Sequence, residues 1–229
     1  MSPLPIPAMR RLPLVGLVLA LAACQADAPA DAPADASTPG TTSEAAVSPE
    51  PGQPAPPFTL TSADGETVRI ADYAGRTVVL EWLNYDCPFV RKHYGGREMQ
   101  ARQAEALADS VVWLSVVSSA PGEQGHFEPA AMRARTEAEG GRQQAVLLDP
   151  TGEVGRAYGA LTTPHMFVVG PDGRVAYNGA IDDQPSTDPA TLAGARRYVP
   201  EALAAVAAGR APETARTQPY GCSVKYADA

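Results

Sequence analysis

Apolar residues along this chain fall into short dense runs, and their spacing alternates between that of strands and that of helices. Val78-Val79-Leu80-Glu81-Trp82-Leu83, residues 111–117 and residues 145–148 are nearly continuous apolar runs of strand length, the pattern of strands covered on both faces. Phe58-Thr59-Leu60 and Thr67-Val68-Arg69-Ile70 flank Ala63-Asp64-Gly65, and residues 166–169 and 174–177 flank Pro171-Asp172-Gly173. Each set reads as a hairpin. Helical spacing begins at Pro88, breaks at Gly95-Gly96 and resumes through Met99, Ala104, Leu107 and Ala108. Residues 128–139, 152–158 and 190–208 read as further helices, the last one amphipathic. Strands alternating with helices predict an α/β domain: a central mixed sheet flanked by helices, with an N-terminal β-hairpin extension.

The ends of the chain do not share this pattern. Residues 1–23 carry positive charge at Arg10-Arg11 and then an apolar stretch too short to span a bilayer, so they read as a signal peptide, with Met9 an alternative start. Leu21-Ala22-Ala23-Cys24 resembles the lipobox of bacterial lipoproteins. The resemblance implies lipidation of Cys24 and an exported, membrane-anchored protein facing the periplasm; the other reading is an ordinary secretory signal with an incidental cysteine. Residues 24–53, rich in Ala, Pro and Asp, have no apolar periodicity to bury and are expected to be a disordered linker able to reach roughly 80–90 Å. Residues 54–209 form the domain, and residues 210–229 are a tail carrying Cys222. The net charge of −8 argues against a nucleic-acid partner. Neither a phosphate-binding glycine loop nor a His-Glu-x-x-His helix is present.

Cys87 carries the chemistry. It follows a buried strand and precedes Pro88, which suits the first turn of a helix. At such a turn, backbone N–H groups and the helix dipole favour a thiolate, lowering a thiol pKa from about 8.5 into a range of about 3.5–7.5. On that helix Cys87 shares a face with Val90, Arg91 and Tyr94, so Arg91 is a candidate to pair with the thiolate, whereas Lys92 reads as a solvated surface charge. The alternative is a small buried core cysteine.

The segment from Gln53-Pro54-Ala55-Pro56-Pro57-Phe58 through Asp64-Gly65 and residues 70–80 resembles the opening of redoxin domains. These are thioredoxin-fold proteins grouped as alkyl hydroperoxide reductase/thiol-specific antioxidant. Cys87-Pro88, the strand at 111–117 and Thr162-Thr163-Pro164-His165-Met166-Phe167-Val168-Val169 continue the likeness, which covers roughly residues 52–180. The resemblance implies a thioredoxin-like fold, a cis proline at Pro164 facing Cys87, and a groove shaped by Thr163 and Pro164. It also implies a buried acid at Glu81, six residues before Cys87, able to move protons for the thiol; a salt-bridged or edge residue is the other reading of Glu81. The chain departs from the family pattern at three places. Val90 stands where a dithiol thioredoxin has its second cysteine, and Asn84 and Leu80 stand where peroxiredoxins have their hydroxyl residue and proline.

With Cys24 lipidated, Cys222 is the remaining thiol in an exported protein. The tail is expected to fold back so that Cys222 pairs with or resolves Cys87; a free tail thiol or an intermolecular bridge are the alternatives. The expected activity is that of a thiol oxidoreductase or antioxidant enzyme of the peroxiredoxin–thioredoxin superfamily, with Cys87 as nucleophile. Its partners would be a thiol or disulfide protein or a hydroperoxide, together with an external thiol reductant, and no cofactor is called for. A reading from another class is a copper-delivery type of binding lipoprotein, in which His93, His126 or His165 would join cysteine as ligand and Cys87 would be locked to Cys222 without turnover. That reading lacks a close second cysteine, so no metal ligands are assigned.

Overall fold

A computed structural model describes residues 48–227, so Cys24, the signal segment and most of the linker lie outside the described residues. Strands β1 (Thr59–Ser62), β2 (Thr67–Arg69), β3 (Val78–Trp82), β4 (Val112–Val117), β5 (Ala145–Leu148), β7 (His165–Val169) and β8 (Val175–Gly179) form one sheet in the order β2-β1-β5-β4-β3-β7-β8. β3, β4 and β5 are parallel, and β1, β2, β7 and β8 are attached antiparallel, which makes the sheet mixed. β6 (Thr162–Thr163) pairs separately with β9 (Cys222–Ser223). The helices are α1 (Pro88–Gly95), α2 (Glu98–Ala108), α3 (Pro129–Glu139), α4 (Glu153–Ala157) and α5 (Tyr198–Ala207).

The central strands read as unbroken apolar runs because both of their faces are covered. Alternate residues of β3 go to opposite layers: Val79 packs with Val90 and Tyr94 of α1, Met99 of α2 and Ala202 of α5. Val78, Leu80 and Trp82 pack with Phe58, Val154 and Tyr158 on the other side. The break at Gly95-Gly96 separates α1 from α2 as the sequence predicts.

Two segments differ from expectation. The stretch 190–208 is not one helix but a short 3-10 turn (Pro189–Gly194) followed by α5. Pro200 has no N–H to give to the carbonyl of Arg196, so the helix can start only late enough to place Pro200 in its first turn. Residues 48–53, expected to be free linker, lie on the domain: Gly52 N–H donates to Val175 O (2.7 Å) and the Ser48 hydroxyl to Tyr158 O (2.9 Å). The tail is laid back along the fold as well, with Asn178 N–H donating to Ala215 O (3.0 Å) and Thr217 N–H to Asn178 O (3.1 Å).

Asn178 is where these pieces join. Its side-chain amide donates to Ser48 Oγ (2.7 Å) and Pro49 O (3.1 Å), and its Oδ1 accepts from His165 Nε2 (2.8 Å). Asn178→Ala should cost about 2–4 kcal/mol of stability, because it strands a buried imidazole N–H and a carbonyl. Denaturant titration measures the loss, and hydrogen exchange should show the 48–53 segment opening while the 215–217 segment, bonded to the retained main chain of residue 178, keeps its protection.

Candidate active site

β3 ends in a tight loop that fixes Cys87. The Cys87 N–H donates to Asn84 O (3.0 Å), and Asn84 Oδ1 accepts from the Asp86 N–H (2.9 Å). The Asn84 amide group turns the other way, to Gln124 O (3.3 Å), so the side chain that replaces the peroxiredoxin hydroxyl is committed to holding loops together. Cys87 is the N-cap of α1, in extended backbone conformation, with Pro88 at the first helical position, and its carbonyl accepts from Arg91 N–H (2.9 Å).

The thiol faces Thr163. Cys87 Sγ–H donates to Thr163 O at 3.1 Å, and the Thr163–Pro164 peptide is cis. β9 lies antiparallel to the same short strand, with Cys222 directly opposite Thr163. Gly221 makes this approach possible: its φ is +145°, and a Cβ there would sit 2.1 Å from the Thr163 carbonyl oxygen. The two cysteines therefore meet across one backbone unit, as free thiols. Cys87 is fully buried, while Cys222 is only partly covered.

The pair is electrostatically asymmetric. Burial pushes the Cys87 thiol up, but the neighbouring Cys222 thiol and the surrounding main-chain N–H groups favour its thiolate more strongly and hold Cys87 below the ordinary thiol value. Cys222 is pushed up to about 12 by burial and by its role as proton donor to Cys87. Both shifts belong to one coupled dithiol that shares its first proton loss.

Glu81 is completely buried, and burial raises its pKa. Its carboxylate accepts from Tyr94 OH (3.0 Å), Trp113 Nε1 (2.9 Å), Ser115 Oγ (3.0 Å) and Gln103 Nε2 (3.3 Å). These partners tie β3 to β4, α1 and α2, and the thiol is not among them. Arg91 departs from its expected place: its side chain is exposed and makes no hydrogen bond or ion pair with the Cys87 thiol. His165 lies beside Pro164 in sequence but packs on Phe167 in the layer opposite Cys87. Its ring is engaged by Asn178 and by the Leu161 N–H, and burial lowers its pKa to about 4.

Lys92, read from sequence as a surface charge, is only 2 % exposed and lies with Asp182 and Tyr220 beneath the tail. A sequence signal for that docking exists: Tyr220, Cys222, Val224 and Tyr226 alternate with Gly221, Ser223 and Lys225 at the period of a strand.

A mixed sheet with a cysteine at a helix N-terminus opposite a cis proline defines a thioredoxin-like redox protein. Residues 50–195 match the Redoxin family profile, which is more than half of the chain, and the chain belongs to that family. Among solved structures it is similar to an uncharacterized conserved protein from Geobacillus kaustophilus (27 % identity, 78 % of this chain and 93 % of that one, TM-score 0.68). A hypothetical protein from Sinorhizobium meliloti 1021 shares the fold (22 % identity, 80 % and 98 % covered, TM-score 0.67). A pneumococcal exposed lipoprotein thioredoxin from Streptococcus pneumoniae is matched at 26 % identity over 54 % of this chain and 87 % of that one, with a TM-score of 0.45. No curated protein matches the chain.

Two outcomes are expected. The thiolate ultraviolet absorbance lost in Cys87→Ser should have its midpoint below the ordinary cysteine value of about 8.5, and Cys222→Ala should move that midpoint upward. A midpoint at or above the ordinary value would contradict the hydrogen-bond account. Glu81→Gln should lower unfolding free energy by about 2–4 kcal/mol, because the new amide turns a donor toward a site already filled with donors. It should leave the Cys87 midpoint nearly unchanged in the same titration.

Proposed function

We propose that this redoxin is a thiol–disulfide oxidoreductase whose working pair is Cys87 and Cys222. The observation that carries the reading is their meeting at Thr163, where one backbone unit accepts the Cys87 thiol and pairs with the strand bearing Cys222. Cys87, as thiolate, is the nucleophile. It attacks one sulfur of a substrate disulfide and expels the other as thiolate, which takes up a proton. Cys222, giving up its proton, then attacks the Cys87 sulfur, closes the internal disulfide and releases the second substrate sulfur. Two electrons have passed to the substrate, and an external thiol reductant restores the pair. Thr163 and Pro164 shape the groove where this happens, and Glu81 acts at a distance by fixing α1 to the sheet. Arg91, exposed one turn along α1, is left to face a partner instead of the thiol.

Disulfide exchange is favoured over hydroperoxide reduction because Asn84 offers no free donor to a peroxide: its amide and carbonyl are taken by Gln124 and Asp86. The Leu21-Ala22-Ala23-Cys24 stretch supports a lipid-anchored location in the cell envelope, an oxidising compartment where such a pair has work to do.

Peptide mapping of the full chain after treatment with glutathione disulfide tests the assignment. Wild type should yield a Cys87–Cys222 cross-linked peptide, and Cys222→Ser should yield glutathione on Cys87. A Cys87 that stays unmodified in both proteins would falsify the assignment. Faster conversion by a hydroperoxide, with sulfenic acid trapped on Cys87 in the variant, would move the function to peroxide reduction.

A further inference from the structure

Helix α1 holds Cys87 at its first end and grips the tail further along. Lys92, Asp182 and Tyr220 form a buried polar cluster there. The Tyr220 hydroxyl donates to Asp182 Oδ1. Lys92 Nζ donates to Gln184 O (2.8 Å) and to the Tyr220 hydroxyl oxygen (3.2 Å), and it lies 3.7 Å from Asp182 Oδ2 with both side chains fully buried. The same ammonium sits 5.3 Å from the centre of the Tyr220 ring, and Phe89 meets that ring edge-on at 5.8 Å.

A buried ion pair of this kind adds little net stability, because desolvation offsets most of the attraction. What it supplies is position. Among the described residues Tyr220 is the only tail residue that both partners of the pair address, and it stands two residues before Cys222, about 6–7 Å along an extended chain. The residue between them is Gly221, which has the freest backbone of the tail strand and no side chain to hold it. On the far side of Cys222 the tail is held by separate contacts: Val224 N–H to Leu161 O (3.0 Å) and Tyr226 OH to Ala160 O (2.8 Å). Without the Tyr220 anchor, the next hold before the Gly221 hinge is the N–H of Thr217, five residues ahead of Cys222, which donates to Asn178 O (3.1 Å).

We propose that Tyr220, seated on the Lys92–Asp182 pair, is a positioning residue that sets the effective concentration of Cys222 at Cys87. The proposal rests on the reading of Cys87 and Cys222 as the working pair. It places the determinant of the disulfide equilibrium in a polar cluster that touches neither sulfur, and it makes Phe89 and Lys92 of α1 parts of one device with Cys87.

The test is the equilibrium of the Cys87–Cys222 disulfide with glutathione buffers, measured by mapping in the full-length protein and its Tyr220→Phe variant. Phenylalanine keeps the ring against Phe89 and removes both hydroxyl contacts. The equilibrium constant for the internal disulfide should fall by about tenfold or more. Alkylation of Cys87 in the reduced protein should become faster, because the strand that covers it is held less often. Tyr226→Phe, which loses its hydroxyl contact on the other side of Cys222, should change the equilibrium much less. An unchanged equilibrium in Tyr220→Phe overturns the proposal, and so does an equal fall in Tyr226→Phe. Absence of the internal disulfide from wild type under every buffer would instead remove the reading on which it rests. Circular dichroism of both variants in the Cys222→Ser background separates tail loosening from loss of fold: unchanged spectra support the proposal, and an unfolded Tyr220→Phe protein would assign Tyr220 to core stability instead.

Discussion

The backbone of Thr163 is the constraint on which this structure turns. Its carbonyl accepts the Cys87 thiol, its strand edge pairs with Cys222, and the next peptide is cis. A carbonyl with two lone pairs can serve a thiol and a neighbouring strand only if nothing bulky lies between them. That condition places glycine at 221, where any Cβ would overlap the oxygen. The geometry of the thiol pair is thus written largely in main-chain atoms. Side chains enter by deciding how firmly the two strands and the helix are held against one another.

Helix α1 is held at three heights, and each hold has a different chemistry. Its N-terminus is fixed by the Asn84 loop and Pro88. Its last turn is fixed by Tyr94, whose hydroxyl reaches the buried Glu81 carboxylate. Between them Lys92 faces Asp182 and the tail. Glu81 and Asp182 are both buried acids, yet they resolve the cost of burial differently. Glu81 collects neutral donors from one strand and two helices, whereas Asp182 is matched by an ammonium and a phenol. The first arrangement is closed within the domain. The second includes a residue of the tail, so its satisfaction depends on the tail being docked.

The strands and helices were legible because each has a period that burial enforces. β3, β4 and β5 read as apolar runs, the hairpins are marked by Gly-containing turns, and Gly95-Gly96 announces the break between α1 and α2. Pro200 limits where the last helix can begin, a constraint that the amphipathic spacing of residues 190–208 does not show. The polar clusters were not legible in the same way. Lysine at a helical position is ordinarily a surface residue, and nothing local to Lys92 shows that Asp182 and Tyr220, far along the chain, will close over it. The docking of residues 48–53 is hidden for a related reason: apart from the Ser48 and Asn178 side-chain contacts, that segment is held by main-chain bonds to β8, which any sequence can make. Cys87 was recognisable from its own neighbours, but its relation to Cys222 is a property of the tail's path.

Val90 explains why the partner cysteine is remote. At the position where a second cysteine would lie on the same helical face, Val90 is 1 % exposed and packs into the core between the sheet and α2. A second thiol there would close a disulfide within one turn, with little of the chain affected by its oxidation state. A partner at Cys222 instead closes a loop spanning most of the domain, and the entropy removed from the unfolded chain by such a bond grows with loop length. On the proposed pairing, oxidation would stabilise the docked tail and the domain together, while reduction leaves docking to the hydrogen bonds of residues 215–217, the β6–β9 pairing, Tyr220, Val224 and Tyr226. On that proposal, the redox state of two sulfurs would set the order of the C-terminal strand. A compact two-cysteine helix turn cannot make that link, because both of its sulfurs stay within the same rigid element whichever state they are in.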